Sequence, residues 1–180
     1  ELYITFYIQE GAQYTYGGLT ITGNEIFSTK ELERCEKLKV GAIYNEIKFQ
    51  EGIMEIASLY MNNGYMSASI VPVVNKDSEH HIISYELRIT ENSRAHVENI
   101  IIKGNNKTKE YVIKREIPIE EGDVFSRDKI ISAYRNLMNL QYFANVIPEP
   151  QQGSEKDLVD VVFSVEEQST TSLQFGMTFS

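Results

Sequence analysis

Cysteine is almost missing from these 180 residues. Cys35 stands alone, so no internal disulfide can form and the redox compartment stays open. Long apolar runs are missing as well: no stretch of about 18 apolar residues occurs, so nothing crosses a bilayer as a helix. Positive charge is short, with 17 Lys and Arg against 26 Asp and Glu and a net charge of −9. Nucleic acid and anionic membrane surfaces are held by clustered Lys and Arg. The basic residues here are scattered, which argues against both as main partners. No signal peptide is visible; the chain opens instead on the alternation Leu2, Ile4, Phe6, Ile8, which reads as a strand met halfway.

What is present is globular in composition, 42% hydrophobic and 24% charged, and it repeats itself. Gly23-Asn24 and Gly104-Asn105 lie 81 residues apart, as do Gly41 and Gly122. Each Gly-Asn pair follows a short apolar stretch, Leu19-Thr20-Ile21 and Ile100-Ile101-Ile102, predicting a strand that ends in a turn. A short helix follows. Ser28 with Glu31 forms a capping box, Thr108 is the expected cap of the second copy, and Pro118 marks that helix's end.

A second helix is predicted from caps at Asn45 and Ser126. Its buried stripe reads Phe49, Ile53, Ile56, Ala57, Tyr60 in one copy and Ile130, Ala133, Tyr134, Leu137 in the other. These stripes are 77 apart rather than 81. The first copy therefore has about one extra helical turn, which keeps the apolar face aimed the same way.

Two strands close each copy. The last alternates strictly, Ile83, Tyr85, Leu87, Ile89 and Val159, Val161, Phe163, Val165, with mostly polar residues between, as a sheet covered on one face requires. Both end in apolar-x-Glu, at Glu91 and Glu167, and Ile8-Gln9-Glu10 repeats that ending. Glu10 and Glu91 each precede a Gly-Asn pair by 13 residues. Residues 1–13 are thus expected to be the last strand of a further module, followed by one module over 14–92 and another over 93–168.

Together these features resemble the POTRA domain, and the second copy resembles the barrel-proximal module of the BamA family of outer-membrane assembly factors. The match is carried by Val97-Glu98-Asn99-Ile100, Lys103-Gly104-Asn105, Val112-Ile113-Lys114-Arg115-Glu116, Glu121-Gly122-Asp123, Tyr142-Phe143 and Val165-Glu166-Glu167. Gln141 stands where the family often has Gly. The resemblance implies an α+β fold of two tandem β-α-α-β-β modules, each a three-stranded mixed sheet covered on one face by two helices. It also implies a non-enzymatic periplasmic arm that binds unfolded outer-membrane clients and accessory lipoproteins, joined to the protein's own membrane barrel. A two-partner-type secretion translocator or barrel-assembly paralogue is the alternative, and a cell-division interaction module a remote one. Residues 169–180, where Leu173, Phe175, Met177 and Phe179 alternate with small polar residues, are expected to begin a transmembrane barrel strand.

In that fold the middle strand of each module lies at the sheet edge, where unpaired backbone groups can accept an extended chain. The candidate pairing residues are Ser69, Ile70, Val71 and Val73 in the first module, and Ala144, Asn145, Val146 and Ile147 in the second. Pro72 and Pro148 fit an edge, since proline cannot donate to a ladder, and they serve equally well to block aggregation. A lipoprotein contact carries over to Glu121 with nearby Lys114 and Arg115. No cofactor or metal is expected: His80-His81 reads as a hairpin loop, Glu155-Asp157-Asp160 lacks calcium-loop spacing, and Gly17-Gly18 leads into a strand rather than a helix. No nucleophile, base and orienter combination stands out.

Overall fold

The computed structural model of the chain describes residues 2–7 and 10–168; the expected barrel strand over 169–180 lies outside the described residues. The chain divides into two compact units, one holding residues up to Tyr60 with Ser67–Asn92, the other Met61–Met66 with Ser93 onward. In the first, β1 (Thr15–Thr22), α1 (Thr29–Glu33), α2 (Glu46–Asn62), β2 (Ser69–Asp77) and β3 (Ile82–Thr90) follow in order. The second repeats them as β4 (His96–Lys103), α3 (Glu110–Lys114), α4 (Arg127–Asn139), β5 (Phe143–Gln152) and β6 (Leu158–Glu167). Each sheet has three strands with the last in the middle, β1-β3-β2 and β4-β6-β5. The first and last strands run parallel, and the hairpin pair runs antiparallel. The helix after each first strand makes that parallel return possible. Leu2–Tyr7 are exposed and carry no strand assignment.

The repeated Gly-Asn pair has a steric cause. Gly23 and Gly104 sit at φ of +82° and +88°, and a Cβ on either would lie 2.1 Å from the carbonyl oxygen of Ile89 or Val165. No other residue fits there. The Asn side chain then bridges the turn, Asn24 Nδ2 donating to the Phe27 carbonyl at 2.8 Å and Asn105 Nδ2 to the Thr108 carbonyl at 3.0 Å. The helices that follow are capped unequally. Ser28 and Glu31 close the full capping box on α1, but the N-cap of α3 is Lys109, without a side-chain cap bond. Thr108 is not the cap: it lies one residue early, and its side chain as well as its N–H bonds Glu167.

Helix α2 has 17 residues and α4 has 13, the extra turn that the spacing requires. In the first unit Tyr16, Leu38 and Phe49 form a buried cluster with Leu19, Tyr44, Ile53 and Tyr85 against it. Phe49 stacks on Tyr85 with ring centroids 3.9 Å apart. The second core is aliphatic in the main, with Ile113, Ile119, Leu137 and Val161 fully enclosed beside Phe143 and Phe163. Tyr134 does not belong to it. At 39% exposure it lies on the rim of the α4 stripe, where its hydroxyl stays wet. Val162 also departs from the alternation: it is buried on the face opposite Val161 and Phe163, beside half-buried Ile101, its register partner on β4.

Candidate interaction surfaces

The apolar-x-Glu ending closes the Gly-Asn turn. Glu91 accepts the Ile26 N–H at 3.0 Å and the Tyr60 hydroxyl at 2.6 Å. Glu167 accepts the N–H groups of Asn106, Lys107 and Thr108 at 3.2, 3.0 and 2.6 Å. Burial pushes the Glu91 carboxyl up, but the Tyr60 hydroxyl and the turn's N–H groups outweigh it, and the net direction is down. The Thr108 N–H leads the downward shift of Glu167. Each strand end is thereby tied to its turn by a charge-assisted clasp. The sequence announced the repeat of this glutamate but not its partners, because the turn N–H groups lie 59 to 65 residues away along the chain and Tyr60 lies 31 away.

Both expected edge strands are edges. Ser69, Ile70, Val71 and Val73 lie on β2, and Ala144, Asn145, Val146 and Ile147 on β5, each strand having one neighbour. Val71 and Val74 are 49% and 55% exposed, and Ile147 is 54% exposed. These are large apolar side chains left in water beside unpaired backbone. A bulge between Phe143 and Asn145 shifts the register at the start of β5.

Which backbone groups face the open side follows from ladder alternation. Gly153 donates its N–H to the Leu158 carbonyl at 2.9 Å, so the odd-numbered positions beyond the bulge turn toward β6. Val146, Pro148, Pro150 and Gln152 turn outward. The prolines agree, since neither could stand at a bonded position. The same register recurs on β2, where Pro72 faces Leu87 as Pro148 faces Phe163. Ile70, Pro72, Val74 and Lys76 are therefore its outward positions.

Lys114, Arg115 and Glu121 are brought together. They line one shallow depression with Ile100, Ile117 and Ile119. Glu121 Oε1 accepts the Ile100 N–H at 3.3 Å, beside the bulge between Val97 and Ile100 in β4. The carboxylate thus holds the backbone where β4 resumes its register, opposite Val161, after the bulge. Lys114 pairs with Glu110 at 2.8 Å and Arg115 with Glu116 at 3.1 Å. The Glu110 carboxylate holds the Lys114 ammonium above the usual lysine range, and Glu121 adds to it. Glu110, Lys114, Arg115 and Glu121 are exposed and Glu116 is half-buried, so the depression is a charged surface with an isoleucine floor, not an enclosed site.

The remaining motifs fall in turns. His80 Nδ1 contacts Asp77 at 2.8 Å in the β2–β3 hairpin, and His81 follows at a φ of 53°. Cys35 is buried just past α1, and burial pushes its thiol up, away from the reactive thiolate. Among the described residues no helix is long and apolar enough to cross a membrane.

Comparison with known proteins agrees with this geometry. The POTRA model, described as a surface antigen variable number repeat, matches residues 14–92 and again 95–168. A Treponema pallidum protein named as an outer membrane protein assembly factor is 47% identical over 177 residues, covering 98% of this chain and 21% of that protein. The outer membrane protein assembly factor BamA of Nitratidesulfovibrio vulgaris is 28% identical, with 98% and 23% covered. The chain thus spans about a fifth to a quarter of the length of these curated relatives. Among solved structures, the Haemophilus influenzae BamA POTRA3-5 crystal structure superposes with a TM-score of 0.77 at 22% identity, over 88% of this chain and 63% of that one. BamA from Haemophilus ducreyi lacking POTRA domains 1-3 gives 0.76 at 21% identity, over 87% and 30%. Two matched repeats, two mixed three-stranded sheets and two glutamate-clasped Gly-Asn turns place the chain in the POTRA family, as a tandem pair of its modules.

Proposed function

We propose that this POTRA pair is the periplasmic arm of a BamA-type assembly factor, and that it holds extended segments of outer-membrane polypeptides near the protein's own barrel. The observation that carries the reading is the exposed edge strand in each sheet, with outward backbone groups flanked by exposed Val71, Val74 and Ile147. An unfolded outer-membrane chain is rich in strand-forming segments that need backbone partners until they close into a barrel. A strand edge provides them while reading little sequence, which suits an arm serving many clients. The names of the relatives support the same role.

The depression holding Lys114, Arg115 and Glu121 is the proposed seat of an accessory lipoprotein. Mixed charge around an isoleucine floor supports a protein partner rather than an anionic lipid.

A photo-crosslinking residue at Val71 of the full-length factor is expected to capture newly translocated outer-membrane polypeptides. The same group at exposed Tyr111, away from either strand edge, should not; equal capture at both positions ends the strand-holding reading. For the second seat, Arg115→Glu leaves the Glu121–Ile100 bond intact, and it is expected to lower co-purification of the lipoprotein roughly tenfold. Unchanged recovery would remove these residues from the contact.

A further inference from the structure

The two edges do not offer the same backbone, and the difference lies in two residues, Asn145 and Pro150. Of the outward positions on β2, Ile70, Val74 and Lys76 carry N–H groups and only Pro72 lacks one. On β5 the counterparts, 76 residues further on, are Val146, Pro150 and Gln152, with Pro148 in the place of Pro72. Pro148 and Pro150 have no N–H. That of Val146 is taken by the side chain of its neighbour, Asn145 Oδ1 accepting it at 3.0 Å. Between the bulge and the hairpin turn, Gln152 alone keeps an outward N–H without a described partner.

From this we infer that extended chains pair with β2 and not with β5, and that Asn145, Pro148 and Pro150 form a guard keeping the second module's edge closed. The inference rests on the proposed reading of the rims as strand seats and assigns that role to one of them. An incoming strand at β5 would bury three of its carbonyls opposite positions that cannot donate, and each unpaired polar group weakens the pairing. At β2 it meets a single gap, at Pro72. Val74 and Lys76 form an unbroken half of the seat, and Ile70 anchors the other. The occupant is therefore an extended polypeptide that pairs most firmly along Val74–Lys76 and leaves one carbonyl, the one facing Pro72, to water. Val71 and Val73 project from the solvent-facing side of the same strand, where they favour apolar residues at alternate positions of the guest.

The guard can be removed by giving β5 the residues of β2. Ser69 and Val74 are the counterparts of Asn145 and Pro150, so the variant is Asn145→Ser with Pro150→Val. The isotopically labelled chain is titrated with a synthetic peptide of alternating Val and Thr, flanked by lysines, and amide shifts and exchange rates are read by NMR. In the parent chain, the amides of Ile70, Val74 and Lys76 should shift and slow. Those of β5 should stay unchanged up to peptide concentrations roughly tenfold higher. In the variant, the amides at positions 146 and 150 should respond as well. Self-association of the variant through β5, seen as those same amides protected at high protein concentration, counts equally as an opened edge. Equal response of β5 in the parent chain, or a variant whose β5 stays silent, overturns the guard and leaves strand capture intact. Silence at both edges overturns strand capture itself.

Discussion

The two modules share a skeleton and differ in what fills it. Both have the left-handed glycine against a strand carbonyl, the glutamate clasp and a proline on the edge. Their cores part company. The first is built from Tyr16, Tyr44, Tyr60 and Tyr85, and its tyrosines reach polar partners: Tyr16 to Glu36 at 2.5 Å, Tyr60 to Glu91 at 2.6 Å, and Tyr44 to Tyr85 at 2.7 Å. The second fills the same volume mostly with Val, Ile, Leu and Phe. The lesson concerns kinds of constraint. A position repeats when backbone geometry admits one residue, and it drifts when only volume must be conserved.

The sharpest test of that distinction is at the glycines. Gly23→Ala and Gly104→Ala each place a methyl group 2.1 Å from a carbonyl oxygen, adding overpacking to left-handed strain, for a loss of about 4 kcal/mol. The two losses should agree within experimental error in chemical denaturation with a probe in each unit, because the geometry is the same. The core positions should disagree. Leu137 and Tyr60 are counterparts 77 residues apart, and both are fully buried. Leu137→Ala leaves a cavity and should cost about 3 kcal/mol. Tyr60→Phe keeps the volume and removes the hydroxyl bond to Glu91, for a loss of about 1 kcal/mol. A Tyr60→Phe loss as large as that of Leu137→Ala would mean that the clasp, not the packing, carries the first unit.

Much of this was legible because the repeat allows the chain to be read against itself. Gly-Asn, apolar-x-Glu and the strict alternation of Val159 to Val165 each appear twice, and each has a backbone reason. The failures fall where a side chain answers to a distant partner. Thr108 looked like a cap by residue type, but its side chain bonds Glu167 and the helix starts one residue later. Tyr134 sat at helical spacing, though spacing fixes the face and not how far the sheet reaches over it. The edge guard could not be read either. A proline at 150 signals an edge, whereas the turning of Asn145 onto Val146 depends on a bulge that no local pattern announces. Among the candidate surface residues, Lys114, Arg115 and Glu121 had proximity on their side, two in one helical turn and one in the loop after it. The bond from Glu121 to the β4 bulge spans 21 residues and follows no local pattern.

The smallest expected effect separates the modules by pH. Burial pushes the Glu36 carboxyl above the ordinary glutamate value of 4.5, against the pull of the Tyr16 hydroxyl. Glu91 moves the other way, burial being outweighed by Tyr60 and the turn. A raised carboxyl binds its proton more tightly in the folded chain, so its ionisation draws stability down as pH climbs from 4.5 through the folded value. A lowered one contributes stability that is present above 4.5 and lost as pH falls through the folded value. The first unit should therefore show opposing slopes on the two sides of the ordinary carboxylate range. The second has lowered carboxyls at Glu98, Asp123 and Glu167 and should show only the acid-side loss. Glu36→Gln should flatten the upper slope of the first unit and leave its acid side unchanged, as measured by denaturant midpoints between pH 3 and 8. The difference is small because Glu36 is half-buried and solvent screens its charge. It is still diagnostic, since an upper slope that survives the substitution would place the raised proton on some group other than the one facing Tyr16.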